Sequence, residues 1–326
     1  VFPARTAKVC DKELWSLADD PKEKKVFAGG ADGKIYIIPE SGEVTSKELH
    51  TLGVTSIVLS GDTMISASDD KTIAVFKMPS LELQYRSTAH TFLINHLLLS
   101  GSPARLWSSS SDGSLKSWTL PNLQEQFSVS ITELLGKKHS LHGFWISPEA
   151  DRMVIGTWNN ELVYLKKEGT GGFKPRVFDI ASRAGICVSE IKGRDLIAIA
   201  GVNDRSAVYI FDLRTEELYL LPEITGSPYT FSVFPSGEDG TVLLCPFGEI
   251  VRLRFDRGAD GRISYSSSLW LSPEIACTGI AVLSSDGNSV ITATDTGEIL
   301  WIGLKSLGAA NESKGFLAER ITPRAD

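Results

Sequence analysis

One region of this 326-residue chain contains the residue types of a nucleophilic triad. The stretch LWSSSSDGSLKSW spans Leu106–Trp118 and includes Ser108 and Asp112, and His90 precedes it. In a triad, the histidine accepts the proton of the serine hydroxyl while the aspartate orients the histidine. The chain has no G-x-S-x-G elbow, the turn that exposes the serine of many hydrolases. The residue types alone leave both catalysis and a structural network open.

The same residue types recur 40 to 42 residues earlier in the chain. His50, Ser66 and Asp70 occur there, and the serine again precedes the aspartate by four residues. A catalytic site is unique in a domain, whereas a structural network returns with each repeat. Buried polar groups need hydrogen-bond partners, and a satisfied network fixes one packing arrangement. The recurrence favours a structural network, and we predict that neither set is catalytic.

Three other segments contain ligand-like residues. His139 and His142 form an H-x-x-H pair, but no third metal ligand is near in sequence and two lysines precede the pair, which favours a solvated loop. Residues 256–264, DRGADGRIS, lack the closing glutamate of a calcium loop and indicate a hairpin tip. Residues 168–176, EGTGGFKPR, do not match the phosphate-binding pattern G-x-x-x-x-G-K-[ST]. We predict no metal ion and no cofactor.

The elements that position these residues are short β-strands, because runs rich in Val, Ile, Tyr and Phe recur along the chain. Gly, Asp, Asn and Pro separate the runs, and the best helical pattern is a single turn near Thr132–Leu135. Each run can be anchored on the turn residue that precedes a strand. The anchors are Asp32, Asp70, Asp112, Asn159, Asp204, Phe247 and Thr296. They lie 38 to 49 residues apart, close to the ~40–45-residue period of a four-stranded blade.

Seven such units predict an all-β fold, a seven-bladed β-propeller of four-stranded antiparallel blades that spans residues 1–326 as one domain. A closed ring needs one blade built from both ends of the chain. The N-terminal segment VFPARTAKV and the C-terminal segment GFLAERIT are both suited to be spare outer strands. We predict closure by strands from both termini, with the N-terminal strand completing the seventh blade.

The third unit, AHTFLINHLLLSGSPARLWSSSSDGSLKSW, resembles a WD repeat. The resemblance implies a hydrogen-bonded network of four side chains in the blade. By position they are His90, Ser108, Asp112 and Trp118 in the third unit, and His50, Ser66, Asp70 and Phe76 in the second. Other units depart from the pattern, because Asn159 replaces the aspartate in the fourth and Ile38 replaces the tryptophan in the first. The resemblance covers nearly the whole chain in period but is specific in only two or three units.

The resemblance also implies a binding face where the turns ring the central channel. The residues that it places on this ring are Trp15, Thr55, Asn95, His142 and Trp158, with Asp69, Ser111, Asn203 and Asp295 beside the turns and Glu13 nearby. Aromatic side chains are frequent anchors of protein interfaces, and the acids suit a basic partner. The resemblance therefore implies a scaffold that binds a protein or peptide as a subunit of a larger complex.

Two alternatives remain from the sequence. The segment AGVNDRSAVYIFDLR ends in Phe211, Asp212 and Arg214 and is similar to the box of substrate receptors of cullin-type ubiquitin ligases. An ordinary strand that ends in Asp and Arg is the competing interpretation. The other alternative is a propeller enzyme with its site in the central channel, which would need a metal, a cofactor or several convergent carboxylates and histidines.

Composition limits the class of partner and the compartment. The net charge of -7 disfavours a nucleic-acid partner, which would need a basic surface. No apolar run is long enough for a membrane span, and the N-terminus lacks the apolar core of a signal peptide. The four cysteines form no C-x-x-C pair. These features predict an intracellular protein of the cytoplasm, the nucleus or both.

Overall fold

The architecture is known from a computed structural model. It describes residues 5–101, 104–169, 171–180, 183–202, 207–221, 232–235, 240–245, 249–271, 277–284, 287–294, 296–304 and 310–324. The anchors Asp204 and Phe247, and the predicted turn residues Asn203 and Asp295, lie outside these ranges.

Thirty β-strands and one short α-helix form in the described residues. The first strand is β1 (Arg5–Lys8). Blade 1 is β2 (Leu14–Asp20), β3 (Lys25–Gly30), β4 (Lys34–Pro39) and β5 (Thr45–Glu48). Blade 2 is β6 (Val54–Ser60), β7 (Thr63–Ser68), β8 (Thr72–Lys77) and β9 (Glu82–Thr88). Blade 3 is β10 (Ile94–Ser100), β11 (Arg105–Ser110), β12 (Ser114–Trp118) and β13 (Glu125–Ser130), which α1 (Ile131–Leu135) follows.

The second half of the chain continues the pattern. Blade 4 is β14 (Leu141–Ile146), β15 (Arg152–Thr157), β16 (Glu161–Lys167) and β17 (Phe173–Asp179). Blade 5 is β18 (Arg183–Ile191), β19 (Leu196–Val202), β20 (Ala207–Asp212) and β21 (Glu217–Leu221). Blade 6 is β22 (Ser232–Pro235), β23 (Thr241–Cys245), β24 (Glu249–Arg257) and β25 (Ile263–Leu271). Blade 7 contains β26 (Cys277–Leu283), β27 (Ser289–Thr294) and β28 (Glu298–Gly303), and β29 (Ala310–Phe316) and β30 (Arg320–Ile321) end the chain.

Each blade is an antiparallel sheet whose strands pair in chain order from the inside outwards. The innermost strands of successive blades contact one another around the ring, and β26 contacts β2. The N-terminal strand β1 pairs with β28 and completes blade 7, with Arg5 opposite Trp301. The predicted seven-bladed propeller, closed by strands from both termini, is therefore confirmed, including the choice of the N-terminal strand.

The hydrophobic cores lie between neighbouring blades. Phe27 from blade 1 packs with Met64 and Phe76 from blade 2, and all three are buried. Trp107 from blade 3 packs in the same way with Phe144 from blade 4. A single four-stranded sheet has two faces and cannot bury both alone, so each blade depends on its two neighbours. This packing explains why strands of the propeller carry apolar residues on both faces.

The C-terminal segment forms outer strands, as the sequence indicated, but on blades that the sequence did not specify. Strand β29 pairs with β25 as a fifth strand of blade 6, and β30 pairs with β21 as a fifth strand of blade 5. Pro323 then bridges to Phe178 on the outer strand of blade 4. We call residues 310–324 the C-terminal strap, because they run along the outer edges of blades 6, 5 and 4 in that order. Unpaired strand edges invite aggregation, and the strap covers three of them.

Candidate partner-binding face

One end of the propeller carries two kinds of loop. They are the turns between the second and third strands of each blade and the connectors from one blade to the next. In blades 1 to 4 these are residues 31–33, 49–53, 69–71, 89–93, 111–113, 131–140 and 158–160. Antiparallel strands alternate in direction, so both kinds of loop lie at the same end. We call this end the turn-bearing face.

The turn of blade 3 requires its glycine. Gly113 follows Asp112 with a φ of +83°, a conformation that other residues rarely adopt. A Cβ atom at this position would lie 2.0 Å from the Thr132 hydroxyl oxygen. The Asp112 carboxylate accepts the backbone N–H of Ser114 at 2.9 Å, which closes the turn. The Asp-Gly sequence is therefore explained by the turn itself.

Blade 3 contains a continuous hydrogen-bonded chain below this turn. Trp118 Nε1 donates to Ser108 Oγ at 2.9 Å, and Ser108 Oγ lies 2.7 Å from His90 Nε2. His90 Nδ1 lies 3.1 Å from Asp112 Oδ2. Since the carboxylate can only accept, His90 donates from Nδ1 and accepts the Ser108 hydroxyl proton at Nε2. The four side chains therefore form one directed chain from the indole to the carboxylate.

The serine, histidine and aspartate of this chain have the bonding order of a catalytic triad. Ser108 is nevertheless fully buried, and its oxygen already accepts the Trp118 N–H. A nucleophile must reach a substrate carbonyl, and no substrate can reach this oxygen without unfolding the blade. The arrangement therefore holds the blade together and is unsuited to acyl transfer.

The carboxylate of this network is strongly stabilised in its charged form. Burial alone would raise the pKa of Asp112, but hydrogen bonds from His90 and Ser114 outweigh burial and hold the pKa well below its usual range. Blade 2 repeats the arrangement: His50 lies 2.7 Å from the Ser66 hydroxyl and 3.0 Å from the Asp70 carboxylate. The pKa of Asp70 is lowered for the same reasons. Phe76 occupies the tryptophan position and is buried, but it offers no N–H.

Blade 4 holds a histidine with a different partner. His139 Nε2 lies 2.8 Å from Glu161 Oε2, and His139 Nδ1 donates to the Lys137 carbonyl oxygen at 2.8 Å. Glu161 follows the turn by the same number of residues as Ser114 in blade 3. The expected substitute, Asn159, binds the Lys138 carbonyl oxygen instead. In blade 4, the carboxylate that binds the histidine therefore lies two residues after the position that holds the aspartate in blade 3.

The solvated loop predicted for the H-x-x-H pair is wrong. The His139 side chain is fully buried against Glu161, and His142 is half-buried beside Trp158. The two imidazoles thus have different neighbours. In the described part of the chain, no group of three or more His, Cys, Asp or Glu side chains could hold a metal ion.

Glu161 also forms ion pairs with residues from two other segments of the chain. Lys137 from the connector and Arg324 from the C-terminal strap both form ion pairs with Glu161, the latter at 2.6 Å. Arg324 Nε donates to Asp179 Oδ2 at 2.8 Å, and its backbone N–H donates to Val177. Burial opposes the charge on Glu161, but hydrogen bonds from Lys137 and His139 outweigh it and lower the pKa. The end of the strap is therefore attached to blade 4 through this carboxylate.

Two of the predicted ring residues link blades to one another. Thr55 Oγ1 donates to the Ile94 carbonyl oxygen at 2.6 Å, from blade 2 to blade 3. Asn95 Nδ2 donates to the Leu141 carbonyl oxygen at 2.6 Å, from blade 3 to blade 4, and to Ser111 Oγ at 2.8 Å. Both residues lie at β-bulges of the innermost strands, which redirect the side chain. Their polar groups and that of Ser111 are thus engaged within the propeller.

The other ring residues are aromatic or lie beside an aromatic ring. Trp15 is half-buried, and its Nε1 donates to Glu13 Oε2 at 3.2 Å. His142 packs edge-on against Trp158, with 4.8 Å between ring centroids. Burial, with a smaller effect of His96, lowers the pKa of His142 to about 3, so the imidazole is neutral at pH 7. The Trp158 side chain remains 39% exposed.

Sequence reasoning missed three exposed apolar residues of the same face. Leu52 and Phe92 are each 51% exposed, and each follows a network histidine by two residues. Leu134 is 39% exposed on α1, which the Ser130 hydroxyl caps by accepting the Glu133 N–H. We call Leu52, Phe92, Leu134 and Trp158 the apolar patch. The repeated spacing from histidine to apolar residue was the available sequence signal.

The residues of the ligase-adaptor box lie at the opposite end of blade 5. Phe211 and Asp212 are buried, and Asp212 receives two hydrogen bonds from Arg257 of blade 6, at 2.7 and 2.9 Å. Arg214 is exposed, and its Nε lies 2.6 Å from Asp195 Oδ2. Asp212 therefore joins two blades, and Arg214 is the box residue that faces solvent.

Comparison with known proteins identifies the fold. No protein-family model and no curated protein matches the sequence significantly. The chain is similar to the solved WD40 repeats of RRP9, with 16% identity over 99% of both chains and a TM-score of 0.68. It is similar to U3-55K, with 16% identity over 98% of both chains and a TM-score of 0.67. Saccharomyces cerevisiae Sqt1 matches 93% of this chain and 99% of its own, with 12% identity and a TM-score of 0.66.

These likenesses show that the fold is the β-propeller of WD40-repeat proteins. The predicted resemblance in fold is confirmed on this basis. In the part of the chain that the structure describes, no helix is long and apolar enough to cross a membrane.

Proposed function

We propose that this chain is a non-enzymatic scaffold that binds a protein or peptide partner on the turn-bearing face of blades 2 to 4. WD40-type propellers commonly serve as interaction platforms, and the structural neighbours have this fold. The proposal treats residues 1–326 as one propeller domain and as a subunit of a larger complex. The cysteine pattern, with no C-x-x-C pair among the four cysteines, favours a location in the cytoplasm, the nucleus or both.

The observation that carries the proposal is the apolar patch. Seven large hydrophobic side chains are exposed in the described residues, and four of them lie on the turn-bearing face of blades 2 to 4. Exposed apolar side chains that share one face of a protein favour an interaction surface there. Tryptophan and phenylalanine bury a large area at the centre of such interfaces. The other three residues are Leu83 and Tyr85 on β9 and Phe316 on the strap.

Two further features support a scaffold over the alternatives. The serine of the triad-like set is buried and already bonded, which removes the best candidate for nucleophilic catalysis. The net charge of -7 makes a nucleic acid a poor partner and favours a basic protein.

Affinity purification from native cells tests the proposal with matched variants. The face variant combines Phe92→Ser with Trp158→Ala, and the control variant combines Leu83→Ser with Tyr85→Ala on β9. We expect the face variant to lose partners that the wild type and the control retain, because only the face variant removes anchors from the patch. Both variants should melt within a few degrees of the wild type. Retention of every partner by the folded face variant would refute the proposed face.

A further inference from the structure

Two adjacent aspartates in the turn of blade 2 have opposite surroundings. Asp70 binds His50, Thr72 and the Thr51 backbone N–H, and its carboxylate is satisfied. Asp69 is also partly buried, but among the described residues no donor and no cation contacts its carboxylate. Burial, together with the charge of Asp70, raises the pKa of Asp69. The Asp69 carboxylate is therefore partly buried without a hydrogen bond or an ion pair from the described part of the chain.

The Trp15 ring packs on Gly53, the residue to which the backbone of Asp69 is hydrogen-bonded. The Asp69 backbone N–H donates to the Gly53 carbonyl oxygen at 3.0 Å, which fixes the position of Asp69 in the turn. The Trp15 ring packs directly on Gly53, so that a Cβ atom there would lie 2.0 Å from Trp15 Cζ3. The other edge of the ring, Trp15 Nε1, binds the Glu13 carboxylate. Trp15 thus belongs to the same small region as two acids, Glu13 and Asp69.

The stability effect of Asp69 has the opposite sign to that of Asp70. A carboxyl group whose pKa rises on folding favours the folded state less when it is ionised than when it is neutral. At neutral pH the ionised Asp69 therefore lowers stability, whereas Asp70 raises it. Residues that reduce stability without a structural return are frequent at binding sites. A cation supplied from outside would reverse the unfavourable effect.

Aromatic faces and carboxylates together bind organic cations. The face of a tryptophan attracts an ammonium or guanidinium group, and a half-buried carboxylate forms a stronger ion pair than an exposed one. A metal ion would need several oxygen ligands around it, and the described residues near Asp69 do not supply such a group.

We propose that Asp69 and Trp15 bind the side-chain cation of a lysine or arginine of the partner protein. The inference rests on the proposed function and specifies its chemistry, because Asp69 and Trp15 lie on the turn-bearing face beside the apolar patch. The partner would place a basic residue at Asp69 and apolar residues on Leu52 and Phe92. Recognition would combine one charged contact with several apolar contacts.

Peptide pools measure this preference directly. Four pools share random flanking positions and carry arginine, lysine, citrulline or norleucine at the fixed centre. On the immobilised wild-type chain, we expect the arginine and lysine pools to be retained about tenfold better than the neutral pools. Asp69→Asn should remove most of this preference. The matched control Asp62→Asn changes an exposed aspartate in the turn between β6 and β7, at the opposite end of the blade, and should keep the preference.

Thermal melting of the same variants separates binding from a structural role. At pH 7, Asp69→Asn should melt at the wild-type temperature or above it, whereas Asp70→Asn should melt lower. Equal retention of cationic and neutral pools by the wild type, persistence of the preference in Asp69→Asn, or a lowered melting temperature of Asp69→Asn would overturn the inference. If the face variant loses its partners but any of these three results is obtained, the proposed function stands and only the cation site fails.

Discussion

Blades 3 and 4 each bury a histidine below the turn-bearing face, and they satisfy it in different ways. In blade 3, His90 bonds to Ser108 and Asp112 of its own blade. In blade 4, His139 bonds to Glu161, which also holds Lys137 and Arg324. The first arrangement is a compact network within a single repeat. The second joins a blade, a connector and the C-terminal strap. The difference teaches that the same position in the fold accepts either a local network or a long-range ion cluster.

The two arrangements also differ in exposure. The histidine, serine and tryptophan of blade 3 are buried, so each polar atom depends on its partner in the network. In blade 4, Glu161 is buried, but the side chains of Lys137 and Arg324 are 45% and 44% exposed. Exposed cations can return to water when their partner is lost, whereas buried groups cannot. Mutations should therefore be more damaging in blade 3.

Asp112→Ala tests the local network and should have the largest effect. The change leaves the His90 Nδ1 proton, the Ser114 hydroxyl and the Thr91 N–H without their acceptor. Leaving buried donors without their nearly buried charged acceptor costs about 3 kcal/mol of unfolding free energy. Urea unfolding measures this loss, and Asp62→Ala in an exposed turn is the matched control.

The pH dependence of this loss identifies its cause. The pKa of Asp112 is lower in the folded state, so its contribution is present above the unfolded pKa of ~3.9 and disappears as pH falls towards the folded value. The difference between wild type and Asp112→Ala should therefore shrink below about pH 4. A difference that stays constant from pH 7 to pH 3 would mean that the charge of Asp112 does not hold the network.

Glu161→Gln tests the ion cluster and should have an intermediate effect. The amide keeps one acceptor oxygen for His139 but removes the charge that pairs with Lys137 and Arg324. We expect a loss of about 2 kcal/mol, because the buried site keeps its shape while the two half-exposed cations regain water. Urea unfolding measures it, with Glu149→Gln as an exposed control. A loss as large as that of Asp112→Ala would contradict the ranking of the two blades.

How well the sequence predicted these two regions depends on how far apart in the sequence the contacting residues lie. The four residues of the blade 3 network recur at fixed intervals in one unit, so their spacing in the sequence indicated both the repeat and the network. Glu161 carries no such signal, because its partners come from a connector and from a strap at the end of the chain. The motif predicted Asn159 for this role, and only the structure shows that the carboxylate lies two residues later.

The candidate face was foreseen in part for the same reason. The repeat placed Trp15 and Trp158 at the turn-bearing end, and the structure finds both there and partly exposed. It also gives Thr55 and Asn95 blade-linking bonds, which depend on β-bulges that alternation does not encode. Whether an apolar side chain such as Phe92 is exposed depends on packing between blades. The sequence therefore predicted which residues lie at this end of the propeller more reliably than which of them are exposed.

Arg324→Gln tests the reach of the ion cluster and should have the smallest effect. Arg324 is half-exposed, so losing its bonds to Glu161 and Asp179 should cost only about 0.5 kcal/mol of global stability. The backbone of the strap should respond more, because this side chain fixes the last strap residue to blade 4. Hydrogen exchange should therefore speed up at the backbone amide of position 324, which in the wild type donates to the Val177 carbonyl oxygen. The exchange rates of β11 and β12 in blade 3 should stay unchanged. Arg262→Gln, in an exposed hairpin turn, is the control. Unaltered exchange in the strap would show that strand pairing of β29 and β30, and not the ion cluster, holds it in place.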